Sequence, residues 1–580
     1  MTMLRVWILA VAVFGLGAAA RAGTADEAID LEMDADPDIP KARVVKVFSP
    51  RLIPLWLQAL DRPEADLKYQ AATTIALAHR RGMPGLSATV EPLLRAIDQP
   101  GQHATVRLAA AQALITLDAR DAAKSLFAHS QADGVEMRNL VEPALAVWDF
   151  EPARAVWLER TNHTGLPRRS DLLAIRALGQ VREAKAAPRL RELAASPGTD
   201  PIVRLEAAKS LGTIQRSGLE PLAEQIAGEK ETAAQLVAAS LLRHHRGDVV
   251  ATIQQRLAVE AGPAAAAVAL DGLLDGDPGR VLPLIPTLLA NSDAEVRAKA
   301  VEAFRRKLPL QDVPAVAGLL DDPHPKVRVS ARKSLREAAA QHGSAVRQEA
   351  MRAVAADRWR ALEQAAILLG QLGHKPAGQR LVELLRFDRP EVFVAAAWAL
   401  RKLAIPETLP DQLREIDRRW QEAEKFNAAA PREMIDLEVS QLAQSLGRAK
   451  YTDAAPVLAR FIPKLARIGP LARVAAIWAL SLIQPVPPPG LVRELIGRVT
   501  DDATMMPEDL RVRRMSAVAL GRLRADTALP ALRKYYPKRL TTDGFSNACG
   551  WALERITGEP LPRTGVTEVA QTGWFLEPND

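Results

Sequence analysis

The residues best suited to chemistry in this sequence do not assemble into a catalytic set. Nine histidines are scattered along 580 residues, and the adjoining pair His244 and His245 points about 100° apart on any helix, so no shared metal is expected. The single cysteine, Cys549, excludes an intramolecular disulfide, a C-x-x-C-H haem attachment and cysteine-based zinc sites. It stands four residues before Leu553, where other segments carry small core residues such as Ala207, and this predicts a buried, inert thiol. No phosphate-binding glycine loop, nucleophile elbow or triad order occurs. Asp34-x-Asp36-x-Asp38 opens like a calcium loop, but Ile39 stands where glycine is needed and Val45 where glutamate is needed. Arg246-Gly247-Asp248 spells an adhesion tripeptide at a helix end, and Asn162-His163-Thr164 is a glycosylation acceptor only in a eukaryotic secretory pathway. No catalytic residue, metal or cofactor site is therefore expected.

One constellation stands above this background. Trp398, Trp478 and Trp551 occur in the matching contexts Ala-Ala-Trp-Ala-Leu, Ala-Ile-Trp-Ala-Leu and Cys-Gly-Trp-Ala-Leu. Each lies two residues before a recurring leucine, at a position that elsewhere holds Gln112, Arg176, Lys209, Asp271, Glu302, Lys333 and Gln444. Large rings at a surface-type position predict a partner-binding stripe on the concave face of the C-terminal third. The competing expectation is that the rings fill wider gaps between helices.

The elements that position these rings are repeated helices. Asp200-Pro201-Ile202-Val203-Arg204 and Asp293-Ala294-Glu295-Val296-Arg297 open similar segments, and Asp322-Pro323-His324-Pro325-Lys326-Val327-Arg328 is a third copy. The Asp predicts an N-cap, and Pro just inside a helix start forfeits no hydrogen bond. Val203, Ala207, Leu211 and Ile214 then form one apolar stripe. Arg107, Arg204, Arg297, Arg328 and Arg513 are expected to bridge to Asp caps of adjacent units. A second kind of helix starts at prolines such as Pro92, Pro221, Pro314, Pro456 and Pro530. The recurring residue runs through Leu77, Leu114, Leu145, Leu178, Leu211, Leu241, Leu273, Phe304, Leu335, Leu369, Leu400, Leu446, Leu480, Leu520 and Leu553, which gives about fifteen helix pairs.

Composition agrees. Apolar residues make up 48% and aromatics 4%, as fits helices packed through Ala, Leu and Val. Lys and Arg number 76 against 69 acids, a net charge of +7, and no basic block interleaves with aromatics, so nucleic acid is not an expected partner. Arg5, the apolar run Val6 to Ala20 and Ala20-Arg21-Ala22 form an export signal, with cleavage predicted before Gly23. That would bring the charge down by two, to +5. Retention of the run as an anchor is the alternative.

The resulting domain reading is a signal peptide over 1–22, an acidic, solvated leader over 23–46, an all-α solenoid of tandem helix pairs over 47–558, and a capping tail over 559–580 that uses Trp574 and Phe575. Irregular units are expected near 120–165, 406–440 and 485–510. The second holds a lengthened helix from Pro410 to Asn427 carrying Trp420 and Phe426. The third holds the stiff run Pro485 to Gly490.

The Asp-(Pro)-x-Val-Arg-x-x-Ala-x-x-x-Leu pattern resembles the HEAT-repeat superfamily, most closely the short repeats of the phycobilisome (bilin) lyase type. That resemblance implies an α-solenoid whose members act as scaffolds, adaptors, chaperone-like subunits or, in a few cases, lyases. The expectation is an exported, non-enzymatic scaffold, periplasmic or secreted, with no membrane span in its mature form. It would hold a protein or extended polymer on its concave face. A bilin-lyase-like enzyme or subunit with a small-molecule groove and a glycan-binding solenoid are the alternatives.

Overall fold

The computed structural model describes residues 29–163, 168–229, 231–424, 431–464, 468–483, 489–562 and 566–571. The expected signal peptide, Phe426, Trp574, Phe575 and most of the Pro485–Gly490 run lie outside these residues.

Helices occur in pairs. The first member is short and follows a 3-10 turn or a proline, as in Glu220–Ala227, Val313–Gly318 and Leu529–Tyr535. The second is longer and Ala-rich, as in Pro201–Ile214, Ala294–Lys307 and Pro390–Leu403. Each of the fifteen recurring residues falls on a different second helix, and all but Leu77 are buried. Second helices stack on second helices, so each stripe is buried by its neighbours in the array. The array is an α-solenoid.

The chain divides into two compact bodies. The N-terminal body comprises, among the described residues, 44–284 with 567–571. Here the second helices run from Ala65–Arg80 to Pro263–Gly276. It also holds a two-stranded sheet formed by Arg43–Phe48 and Val566–Gln571. The sheet adds to the all-α expectation: the described part of the C-terminal tail pairs as a strand. Val44, Val45 and Val47 suit an extended backbone, being β-branched.

The C-terminal body comprises, among the described residues, 29–43 together with Ile285–Val566. Its stack includes Ala294–Lys307, Trp359–Gln371, Pro390–Leu403, Arg432–Arg448, Pro470–Ile483, Leu510–Arg522 and Gly544–Thr557. Pro325–Ala355 joins a second helix to the next first helix across a break at His342 (φ −125°, ψ 38°). The lengthened helix is Leu409–Glu424. Its Trp420 is buried against Phe461, with ring centroids 4.8 Å apart, so it braces the stack.

Local chemistry explains the helix starts. Asp200 accepts from the N–H groups of Ile202 and Val203, and Asp293 from those of Glu295 and Val296. Asp322 does not cap in this way. His324 is the N-cap residue, and the buried Asp322 instead takes the Arg297 guanidinium at 2.6 and 2.8 Å. The arginine ladder therefore differs from expectation. Arg204 pairs with Glu229, Arg107 with Asp133 and Arg473 with Glu508, all acids in the loops that follow first helices. Arg513 and Arg328 bond to main-chain carbonyls. A guanidinium reaches the end of the neighbouring first helix more readily than its start, and its planar fork suits both a carboxylate and carbonyls.

Candidate partner-binding face

The three tryptophans are buried, with relative exposures of 3% for Trp398, 1% for Trp478 and 7% for Trp551. This corrects the expectation of an open stripe, and two features cause the burial.

The first is a glycine following the recurring leucine of the preceding stacked helix. A Cβ built on Gly370 would lie 2.8 Å from Trp398 Cζ3; the same construction gives 3.1 Å for Gly447 and Trp478, and 3.0 Å for Gly521 and Trp551. The alanine after each tryptophan meets the same glycine: Ala399, Ala479 and Ala552 place Cα within 3.1, 2.6 and 2.7 Å of those positions. Without a Cβ, one helix backbone approaches the next closely enough for the ring to lie across it. The wide-gap expectation is thus also revised, because the helices are close.

The second is the acidic leader. Residues 29–42 do not project into solvent; they lie across successive second helices of the C-terminal body. Asp30 accepts at Oδ1 from Trp398 Nε1 (2.8 Å) and Arg401 Nη2 (2.8 Å), and at Oδ2 from Lys402 Nζ (2.9 Å). Glu32 pairs with Arg401 at 3.1 Å and with Arg448. Met33 is wholly buried within the short helix Glu32–Ala35, and its N–H donates to Gln444 Oε1 at 3.0 Å. Asp36 accepts from Trp478 Nε1 at both its carbonyl (3.0 Å) and its carboxylate (2.9 Å), and Arg522 lies 2.7 Å from the same carboxylate. Arg514 donates to the Asp34 carbonyl, Ile39 is buried, and the Ala42 N–H donates to Thr541 O at 3.0 Å. Trp551 lies further along, with Arg555 over its ring at 5.2 Å.

The register explains what the leader does. Gln112, Arg176, Lys209 and Lys333 are exposed at the same helical position, whereas Gln444 is wholly buried. This face is open to solvent in those units and is closed here by fourteen residues of the same chain. Sequence reading found the position and missed its occupant. The signal lay in the five acids Asp30, Glu32, Asp34, Asp36 and Asp38, set against Arg401, Lys402, Arg448, Arg514 and Arg522.

The electrostatics follow from this geometry. Burial alone would raise the Asp30 carboxyl, but hydrogen bonds from Lys402 and Trp398 and the positive charge of Arg401 outweigh it and hold the pKa at about 2. Arg448 is pushed up by its hydrogen bond to Glu32, and burial pushes Arg514 down against the pull of Asp34. Away from this face, burial pushes the Cys549 thiol up to about 12. Among the described residues no His, Cys, Asp and Glu cluster is arranged to hold a metal, and no helix is long and apolar enough to cross a membrane.

No family model and no curated protein matches this chain. Solved structures do. Kap95p in its structure with RanGDP is 14% identical with a TM-score of 0.53, covering 87% of this chain and 72% of that one. Importin beta crystallised in a polyethylene glycol condition is 12% identical with a TM-score of 0.47, covering 87% and 82%. Kap121p bound to Pho4p is 11% identical with a TM-score of 0.49, covering 87% and 57%. At such identities the likeness concerns fold. The chain shares with Kap95p the α-solenoid fold of tandem helix pairs.

Proposed function

We propose that the chain is a non-enzymatic scaffold, working outside the cytoplasm, that holds a protein partner on the second-helix face of its C-terminal body. One observation carries this reading. A position occupied by ordinary surface residues in other units here presents indole donors and guanidinium groups that already engage a peptide segment. Kap95p, a solenoid of similar fold, is described by its binding to RanGDP, which supports protein binding as a use of this fold. The Arg5 to Ala22 signal supports export.

The rings bear on the glycan alternative. Trp398 and Trp478 lie against glycine and offer their N–H edges, whereas stacking on a sugar needs an open ring face. A small-molecule reading of the lyase kind would rest on a cavity of about 680 Å³ beside Arg432, Lys464 and Arg473. Three of its charges already have partners: Arg473 bonds Glu508, Lys464 bonds Asp501, and Asp436 accepts from the N–H groups of Leu471 and Ala472. The scaffold reading is preferred.

The test is site-specific photo-cross-linking in the cell of origin, with a photoreactive residue at position 448 on this face or at 414 on a first helix. A single protein captured from 448 and absent from 414, in the extracytoplasmic fraction, supports the proposal. Equal capture at both positions, or intact chain confined to the cytoplasm, overturns it.

A further inference from the structure

The geometry points to a more specific partner: the face takes a short acidic peptide segment of another protein, and residues 29–42 are a built-in occupant that such a segment displaces. This rests on the scaffold reading above and names the chemistry of what the scaffold binds.

Two sets of contacts define the recognition. Arg401, Lys402, Arg448 and Arg522 read carboxylates, the first three around Asp30 and Glu32 and the last at Asp36. A basic face alone would suit any polyanion. Gln441 and Gln444 narrow the choice, because they read a peptide main chain. Gln441 Nε2 donates to the Asp30 carbonyl at 3.0 Å while Gln444 Oε1 accepts the Met33 N–H at 3.0 Å. They stand three apart on one helix, so their amides line one face and follow the segment's backbone. Trp478 likewise takes a main-chain carbonyl together with the Asp36 carboxylate. Between the two charged clusters the wholly buried Met33 fills the gap, so the pattern is two acids, a buried apolar side chain, then a third acid. Nucleic acid offers no such alternation of N–H donors, carbonyls and apolar side chains.

The same contacts make the leader replaceable. Its one helix has four residues, its apolar anchors are Met33 and Ile39, and the Asp30 and Asp36 side chains remain 54% and 44% exposed. Segments with few buried apolar contacts and solvent-reachable ion pairs open locally well before the helices beneath them. Tethering gives the leader a high effective concentration, so an outside segment competes only when its own contacts are better or it is held nearby by further contacts.

The probe is a fluorescein-labelled synthetic peptide with the sequence of residues 29–42, titrated by polarisation against the full chain and against a full-chain Asp30→Asn, Glu32→Gln, Asp36→Asn variant. The expected result is at least tenfold tighter binding to the variant, weakening as salt rises and lost when Arg401→Ala and Arg522→Ala are added. Equal affinity for both proteins overturns the inference, as does no binding to a variant whose circular dichroism matches the parent. A variant that fails to fold also overturns it, since the leader would then be core; hydrogen exchange on the unaltered chain checks this independently. There the 29–42 amides should exchange at least tenfold faster than those of Pro470–Ile483, and equal rates contradict displacement. Concentration-dependent dimers formed through exchanged leaders would make a second copy the occupant and refute the partner proposed. A failed peptide titration with successful capture from position 448 sinks this inference alone. Tight peptide binding without capture sinks the scaffold reading.

Discussion

Replacing Gly447 with alanine should destabilise the C-terminal body although alanine is the better helix former. Gly447 lies near the end of the Arg432–Arg448 helix, and a Cβ there would stand 2.6 Å from both Cα and Cβ of Ala479 and 3.1 Å from Trp478 Cζ3. The two Ala479 atoms are backbone and its immediate branch, with no rotamer to turn aside, so the helices must separate. Overpacking of this kind costs ~1–3 kcal/mol. The propensity gain of alanine over glycine returns at most ~1 kcal/mol, and less in a last turn. The net expectation is a loss of roughly 1–2 kcal/mol. Gly497, inside the helix Pro489–Thr500, has nothing within 4 Å of its Cβ position. Gly497→Ala should therefore gain ~0.5–1 kcal/mol. Urea midpoints for the two variants, read by tryptophan fluorescence at unchanged slope, should fall on opposite sides of the parent. A neutral or stabilised Gly447→Ala protein would refute the ring-on-glycine packing that places Trp398, Trp478 and Trp551.

Trp478→Ala should cost ~3–5 kcal/mol by cavity formation, measured by the same midpoints. Trp478→Phe keeps most of the packing but removes the donor to Asp36, and should chiefly speed hydrogen exchange of residues 29–42. Asp30 has its folded pKa lowered from 3.8 to about 2, so its contribution to holding the leader is complete above 3.8 and is lost as pH falls through about 2. Protease nicking within 29–42 should accordingly rise over that window and stay flat above pH 5. Glu438 is wholly buried; burial raises its pKa from 4.5 to about 8 despite Arg419, whose Nε lies 2.8 Å away. The folded state therefore favours the protonated acid, and stability should decline as pH rises from 4.5 through about 8. Glu438→Gln should flatten that decline, read by thermal or urea unfolding across the same pH range. Cys549, with its pKa near 12, should resist thiol reagents at pH 8 until urea unfolds the chain.

The helical array was legible because the information is local. Asp200 and Asp293 cap their helices as their sequence contexts imply, and the recurring leucines other than Leu77 are buried because a 3.6-residue period fixes which face each helix hides. The register of Trp398 and Trp478 was also readable, since counting back from a leucine places a side chain on a helix without knowledge of the tertiary fold. What covers that face was not readable. Asp30 meets Trp398 across 368 residues and Asp36 meets Trp478 across 442, and no periodicity links such positions. An acidic run without basic residues has the composition of a solvated tail. Its basic complement is spread over three helices, so these residues never appear as a cluster in the sequence. Asp322 failed as a cap for a related reason. The Arg297 guanidinium claims its carboxylate, and His324 takes the cap position. The pairing of Arg43–Phe48 with Val566–Gln571 joins distant segments in the same way.

Zero-length carbodiimide cross-linking reads out directly whether the acidic leader lies on the tryptophan face. Lys402 Nζ sits 2.9 Å from the Asp30 carboxylate, close enough to be joined as an amide, and Lys464 sits 2.9 Å from Asp501 as a control within the array. Peptide mapping of the monomer fraction should recover both the Asp30–Lys402 and the Lys464–Asp501 links. Recovery of the control link without Asp30–Lys402 would contradict the account.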